Sequence, residues 1–219
     1  MESQEILSKL NKLHGMETGS GQSNQKKGAG GEAMLEWLLN LDGNILLFIQ
    51  EYIRVPILTP FVKFITTLGN GGGIWIFLTL IMLIIPKTRR VGCMMAAALI
   101  GTLLVNNILL KNLVARTRPY EVIAGLTYLV PKPGEYSFPS GHAGSSFAVA
   151  CVMFRELPKK YGIPALVLAI LIALSRLYVG VHYPSDVLFG IISGIAISYA
   201  AVAVVEWIDK LKNKNSEEK

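Results

Sequence analysis

Apolar residues fall in long runs separated by short polar clusters. Four runs read as spanning helices: about 91–110, 141–156, 163–181 and 187–207. About 18 or more apolar residues suffice to cross a hydrocarbon layer of roughly 30 Å. A fifth run, 73–86, is short. It either extends upstream through Gly69–Gly72 or thins the lipid around it. Residues 34–68 do not read as a clean span. Glu51, Arg54 and Lys63 interleave with apolar positions, and Pro56 and Pro60 interrupt them. Interfacial amphipathic helices fit that pattern better. The expected fold is all-α: a polytopic membrane bundle of five or six transmembrane helices. No internal repeat is visible.

Three segments follow from composition. Residues 1–33 read as a flexible extension outside the fold, and 16–33 are rich in Gly, Ser, Gln and Lys. Within it, 6–15 fits a short amphipathic helix, and His14 carries no expected role. Residues 34–208 form the expected membrane domain, and 209–219 a charged tail.

Hydrophobic residues make up 52% of the chain and charged ones 16%, with a mean hydropathy of +0.46. Soluble domains carry about 25% charge. The net charge of +6 would point to nucleic acid in a soluble protein. Here the charges cluster between spans, so they read as topology signals and no nucleic-acid partner is expected. Lys87, Arg89 and Arg90, then Arg155, Lys159 and Lys160, then the charged tail, alternate onto one side. The positive-inside rule makes that side cytoplasmic. The loop 111–140 opposes this with Lys111, Arg116, Arg118 and Lys132, unless those cations have another job. Cys93 and Cys151 read as small buried hydrophobes, with no metal-type spacing.

Polar chemistry gathers on the other side. Ser175, Arg176, His182 and Asp186 sit at the junction of two apolar runs. His182 and Asp186 are four apart and meet if Pro184 opens a helix. A carboxylate that accepts one imidazole N–H leaves the other nitrogen free to attack phosphorus. Ser140 and Gly141 precede His142 at the start of a span, where free backbone N–H groups suit phosphate oxygens. Lys111, Arg118 and Arg176 supply positive charge, and phosphoryl transfer chiefly needs charge stabilisation. Arg116 reads as an interfacial, snorkelling cation. Asn106 and Asn107 read as interhelical hydrogen-bonding groups. Tyr120, Tyr136, Phe138, Tyr178 and Tyr183 read as packing or interface anchors.

Three stretches, Lys111…Arg118-Pro119, Pro139-Ser140-Gly141-His142 and Ser175-Arg176…His182…Asp186, match three motifs in order and spacing. They are K-x6-R-P, P-S-G-H and S-R-x5-H-x3-D. In these the chain resembles the type 2 phosphatidic acid phosphatase (PAP2) superfamily over roughly residues 35–208. The resemblance implies catalytic His182, His142 and Asp186, and phosphate binding by Lys111, Arg118, Ser140, Gly141 and Arg176. It implies attack by His182, a phosphohistidine, and His142 as the acid. No cofactor is implied. No metal site is expected, because Asp186 is the only carboxylate in the motifs and divalent ions want more oxygen ligands. The implied partner is a lipid phosphate or diphosphate in the bilayer, undecaprenyl diphosphate first, handled at the extracytoplasmic face. Phosphatidylglycerophosphate and phosphatidic acid are the alternatives. A vanadium haloperoxidase shares the site but lacks such spans. A transporter or proton relay would spread polar groups over several depths.

Overall fold

The computed structural model describes residue 34 and residues 37–217. The expected extension, with its short helix at 6–15 and His14, lies outside the described residues. Met1–Leu41 and Asp42–Lys219 form two compact units. Of the first, 37–41 are helical; all that follows concerns the second.

Every regular element described is helical. Helix α1 covers 42–48 and runs into a wide π turn, Ile49–Ile53. Pro56 follows in a turn, and α2, Thr59–Leu68, starts with Pro60 in its first turn. Proline fits there because the first N–H groups of a helix have no partner anyway. A short 3₁₀ turn, Asn70–Gly72, leads into α3, Gly73–Ile84. Gly71 and Gly72 hold left-handed φ values of 58° and 73°, which a side chain would strain. Helix α4, Arg89–Thr102, continues as a π segment, Leu103–Leu110, and a last turn, Lys111–Val114. Helix α5 is the single turn Pro119–Val122. Helices α6, α7 and α8 are Gly141–Glu156, Lys159–Tyr178 and Pro184–Glu217.

Three stretches are long and apolar enough to cross a membrane: Arg89–Val122, Lys159–Tyr178 and Pro184–Asn215. Thr59–Leu68 and Asn70–Ile84 together make a fourth candidate, bent by 47°. The upstream extension expected for 73–86 is thus present, as a broken span or re-entrant loop. The expected run at 141–156 forms α6, but at 16 residues it is about 24 Å long and falls short of the length of a clean span.

Helix α6 is the inner helix of the bundle. Ala143, Gly144, Ser146, Ala148, Val149 and Val152 are all buried on it. Its small residues let α8 approach closely, as in membrane bundles generally. A Cβ on Gly194 would lie 2.5 Å from the Gly144 carbonyl oxygen. Trp75 of α3 donates from Nε1 to Ser146 Oγ at 2.8 Å. The expected bond from α4 to a neighbouring helix is made by Asn106, whose Nδ2 donates to Ser193 Oγ at 2.9 Å. Met94, Met95, Ala98 and Ile172 complete the core. The outward faces stay apolar, with Phe77, Leu80, Ile100, Leu103 and Leu188 exposed. Such a coat suits lipid. Cys93 also lies on this outer surface rather than in the core. Arg90 meets Asp209 at 2.8 Å, so the start of α4 and the end of α8 share one end of the bundle. The motif residues sit at the opposite helix ends.

Candidate active site

The ends of α2, α4 and α7, the 3₁₀ turn, the start of α6 and the turn before α8 surround a cleft of about 600 Å³. Lys111, Arg118, Gly141, His142, Arg176 and His182 all line it. Six of the eight expected residues therefore line one cleft. Ser140 and Asp186 stand immediately behind it, both fully buried.

Each residue is placed by a local feature. The π segment ends at Lys111, which is buried at the last turn of α4. Arg118 is the extended residue ahead of Pro119 and α5. Its Nη1 donates to the Val181 carbonyl at 2.8 Å and lies 3.4 Å from His182 Nε2. Its Nε donates to the Glu135 carbonyl at 2.7 Å. Arg176 closes α7, and its Nη1 donates to Thr66 Oγ1 at 2.6 Å. Its Nε is buried and has no hydrogen-bond partner among the described residues. Ser140 is the N-cap of α6, accepting from the Ala143 N–H. Gly141 packs closely on Asn107, since a Cβ there would lie 2.8 Å from Asn107 Oδ1. His142 Nε2 lies 3.0 Å from Asn70 Oδ1.

Pro184 opens α8 and brings His182 to Asp186. The His182 Nδ1 to Asp186 Oδ2 separation is 3.6 Å, an ion-pair distance rather than a hydrogen bond. Asp186 Oδ2 instead accepts from Ser137 Oγ at 2.5 Å and from the Tyr183 N–H at 3.0 Å. The expected imidazole-to-carboxylate bond is thus loose here, because other donors hold the carboxylate. Catalytic bonds of this kind commonly tighten only when substrate is bound. Burial pushes the His182 imidazole down to about 4, against the pull of Asp186 and with help from Arg176 and Arg118. His182 is therefore neutral at pH 7, the state a nucleophile needs.

Arg116 does not snorkel. Its Nη1 donates to Asp186 Oδ1 at 2.6 Å and to Ser185 Oγ at 2.7 Å, and its Nη2 to Asp42 Oδ2 at 2.8 Å. The guanidinium lies 3.7 Å from the centre of the Tyr183 ring. All four cations that weigh against the charge rule are employed locally. Lys111 pairs with Glu135 and Lys132 with Glu121. Arg116 and Arg118 are bound as described.

A buried histidine, a half-buried one, three cations lining the same cleft and a helix N-terminus are what phosphoryl transfer requires. Comparison with known proteins gives the same answer. The sequence profile of the PAP2 superfamily matches residues 91–210.

The chain belongs to the PAP2 superfamily of phosphatases.

The undecaprenyl-diphosphatase of Sulfolobus acidocaldarius is 31% identical over 166 residues, 75% of this chain and 80% of that protein. The crystal structure of Aquifex aeolicus LpxE superposes with a TM-score of 0.64 at 27% identity, covering 76% of this chain and 95% of that one. The first transmembrane PAP2-type phosphatidylglycerolphosphate phosphatase from Bacillus subtilis gives 0.61 at 29%, covering 79% and 86%. All three support a membrane phosphatase. Within the PAP2 site, the residues that sequence spacing missed are Arg116, Asp42, Ser137, Asn70 and Glu135. Only Asn70 had a local signal, as the polar residue among the glycines of "GNGGG".

Proposed function

We propose that the chain hydrolyses a polyprenyl diphosphate, undecaprenyl diphosphate first, through a phosphohistidine on His182. The observation that carries this is the shared cleft, where His142, His182 and the three cations Lys111, Arg118 and Arg176 face the same space. The Sulfolobus relative supports the choice of lipid. His182 attacks phosphorus as the bond to the leaving oxygen breaks, and His142 protonates that oxygen. Water then attacks the phosphohistidine, His142 takes its proton, and phosphate departs. Lys111, Arg118, Arg176 and the Gly141 N–H hold the phosphoryl oxygens, while Ser140 fixes the start of α6. Asp186 orients His182. No metal takes part, because the cations already neutralise the transferring group.

The basic ends at Arg90 and beyond Asp209 support a cytoplasmic assignment for the far end of the bundle, and so an extracytoplasmic active site. A phosphatidylglycerophosphate phosphatase is the second reading, favoured by the likeness to the Bacillus subtilis structure.

Phosphate release from purified protein tests both. The panel is undecaprenyl diphosphate, phosphatidylglycerophosphate, phosphatidic acid and a soluble phosphomonoester, with His182→Ala in parallel. Fastest turnover is expected on the diphosphate, with none in the variant. Substantial activity in His182→Ala would sink the nucleophile assignment, and a preference for phosphatidylglycerophosphate would favour the second reading.

A further inference from the structure

Glu135 has no part in the chemistry above, yet its side chain is the partner of Lys111. The two ends of this pair differ sharply. Lys111 is 8% exposed and faces the cleft, whereas Glu135 is 66% exposed. The backbone beneath Glu135 is tied down: the Arg118 guanidinium takes the carbonyls of Glu135 and Tyr136 at 2.7 and 3.3 Å. The carboxylate therefore hangs from a fixed point and has solvent on its other side. Lys111 holds it well below the usual carboxylate range, so it is charged near neutral pH.

Glu135 also stands between two spaces. A second cavity, about 760 Å³ and here called the outer one, adjoins the first, and Lys111, Arg118 and the segment Lys132–Glu135 line both. The outer cavity also carries Arg116, Thr117 and Tyr136. An anion that pairs with Lys111 from either cavity must take it from Glu135.

We propose that Glu135 is an internal competitor for phosphate: its carboxylate occupies Lys111 until a phosphoryl group displaces it. It rests on the reading of the inner cleft as a phosphate site. The exchange is ion pair for ion pair, with no bond made or broken. Glu135 thereby sets the affinity for phosphoryl groups. It favours substrates that bring enough negative charge to displace a carboxylate, and a diphosphate reaching into the outer cavity does so better than a monoester. Glu135 is a specificity residue, not a catalytic one.

The test measures vanadate and inorganic phosphate affinity directly, by titration calorimetry on detergent-purified protein, for wild type, Glu135→Gln and Glu135→Asp. Glu135→Gln is expected to bind both anions about fivefold tighter, the effect of losing one partly exposed ion pair. Glu135→Asp should stay close to wild type. In turnover, Glu135→Gln should lower KM for a phosphomonoester more than for a diphosphate, with kcat changed less than KM. Unchanged or weaker anion binding in a folded Glu135→Gln protein would overturn the proposal. Wild-type protein that binds vanadate but hydrolyses no lipid phosphate would instead overturn the proposed function and leave Glu135 as the competitor.

Discussion

Arg116 Nη1 and Asp186 Oδ1 meet at 2.6 Å, joining a loop arginine to the carboxylate behind His182. The same guanidinium reaches Asp42, so one cation holds two carboxylates that are themselves almost fully buried. Removing one partner of such a cluster is costly, because it strands charge away from water.

Arg116→Ala should therefore lower both activity and stability. Loss of an orienting partner typically reduces activity about 10- to 100-fold. Thermal unfolding should fall by the equivalent of about 2–3 kcal/mol, less than for a fully buried pair because Arg116 keeps some exposure. A kcat loss with KM nearly unchanged marks positioning rather than substrate binding. Arg116→Ala combined with Asp186→Asn should be little worse than the more severe single change, since both act through one contact. Additive losses in that double variant would separate Arg116 from His182.

The titration of His182 gives a second prediction. Its folded value lies near 4, below the ordinary histidine value of 6.5. A group with a depressed value sheds its proton early as pH rises. His182 is thus neutral from about pH 5 upward and becomes protonated only as pH falls through about 4. Turnover should persist at pH 5.5, where an ordinary histidine would be mostly charged. The chain has three histidines, so imidazole NMR signals can be assigned by single substitutions. A His182 signal titrating at 6 or above would contradict a nucleophile kept neutral by burial.

Packing between α6 and α8 supplies the third. A Cβ at position 194 would meet the Gly144 oxygen at 2.5 Å and the Ala148 nitrogen at 3.1 Å. Both are backbone atoms, so the helices must part. Gly194→Ala should cost about 1–3 kcal/mol, the usual range for overpacking. Gly73→Ala, whose nearest neighbour is the Leu68 oxygen at 3.8 Å, should be tolerated. Equal thermal stability of the two variants in detergent would show that α6 and α8 are not in close register.

Much of this was legible in the sequence, for a definite reason. His182 and Asp186 lie within one helical turn, Ser140 and Gly141 lie next to His142, and apolar length announces spans. All of these are local. Arg116 was misread because its partners, Asp186 and Asp42, are 70 and 74 positions away. A single arginine in a basic loop carries no period that reveals such contacts. Ser137 likewise reaches Asp186 across 49 positions. Helix α6 shows the opposite limit. Its apolar run fitted a span, but its small residues mark it as the helix others pack around. Hydropathy does not separate burial in protein from burial in lipid.

The last prediction concerns metals. The phosphoryl group carries negative charge that something must balance as the leaving oxygen departs. Lys111, Arg118 and Arg176 face the cleft, and in the proposed mechanism they supply that balance. A magnesium ion would need carboxylate or other oxygen ligands in near-octahedral array. Asp186 is committed to Arg116, Ser137 and the Tyr183 N–H, and among the described residues no group of three or more His, Cys, Asp or Glu side chains could hold a metal ion. Hydrolysis should therefore proceed at its full rate in excess EDTA and gain nothing from added Mg²⁺. Vanadate should inhibit competitively, and Arg176→Ala should weaken that inhibition if Arg176 donates to the phosphoryl oxygens as proposed. Activity lost in EDTA and restored by Mg²⁺ would mean that the cations do not suffice. Charge balance in this cleft would then have to be assigned anew.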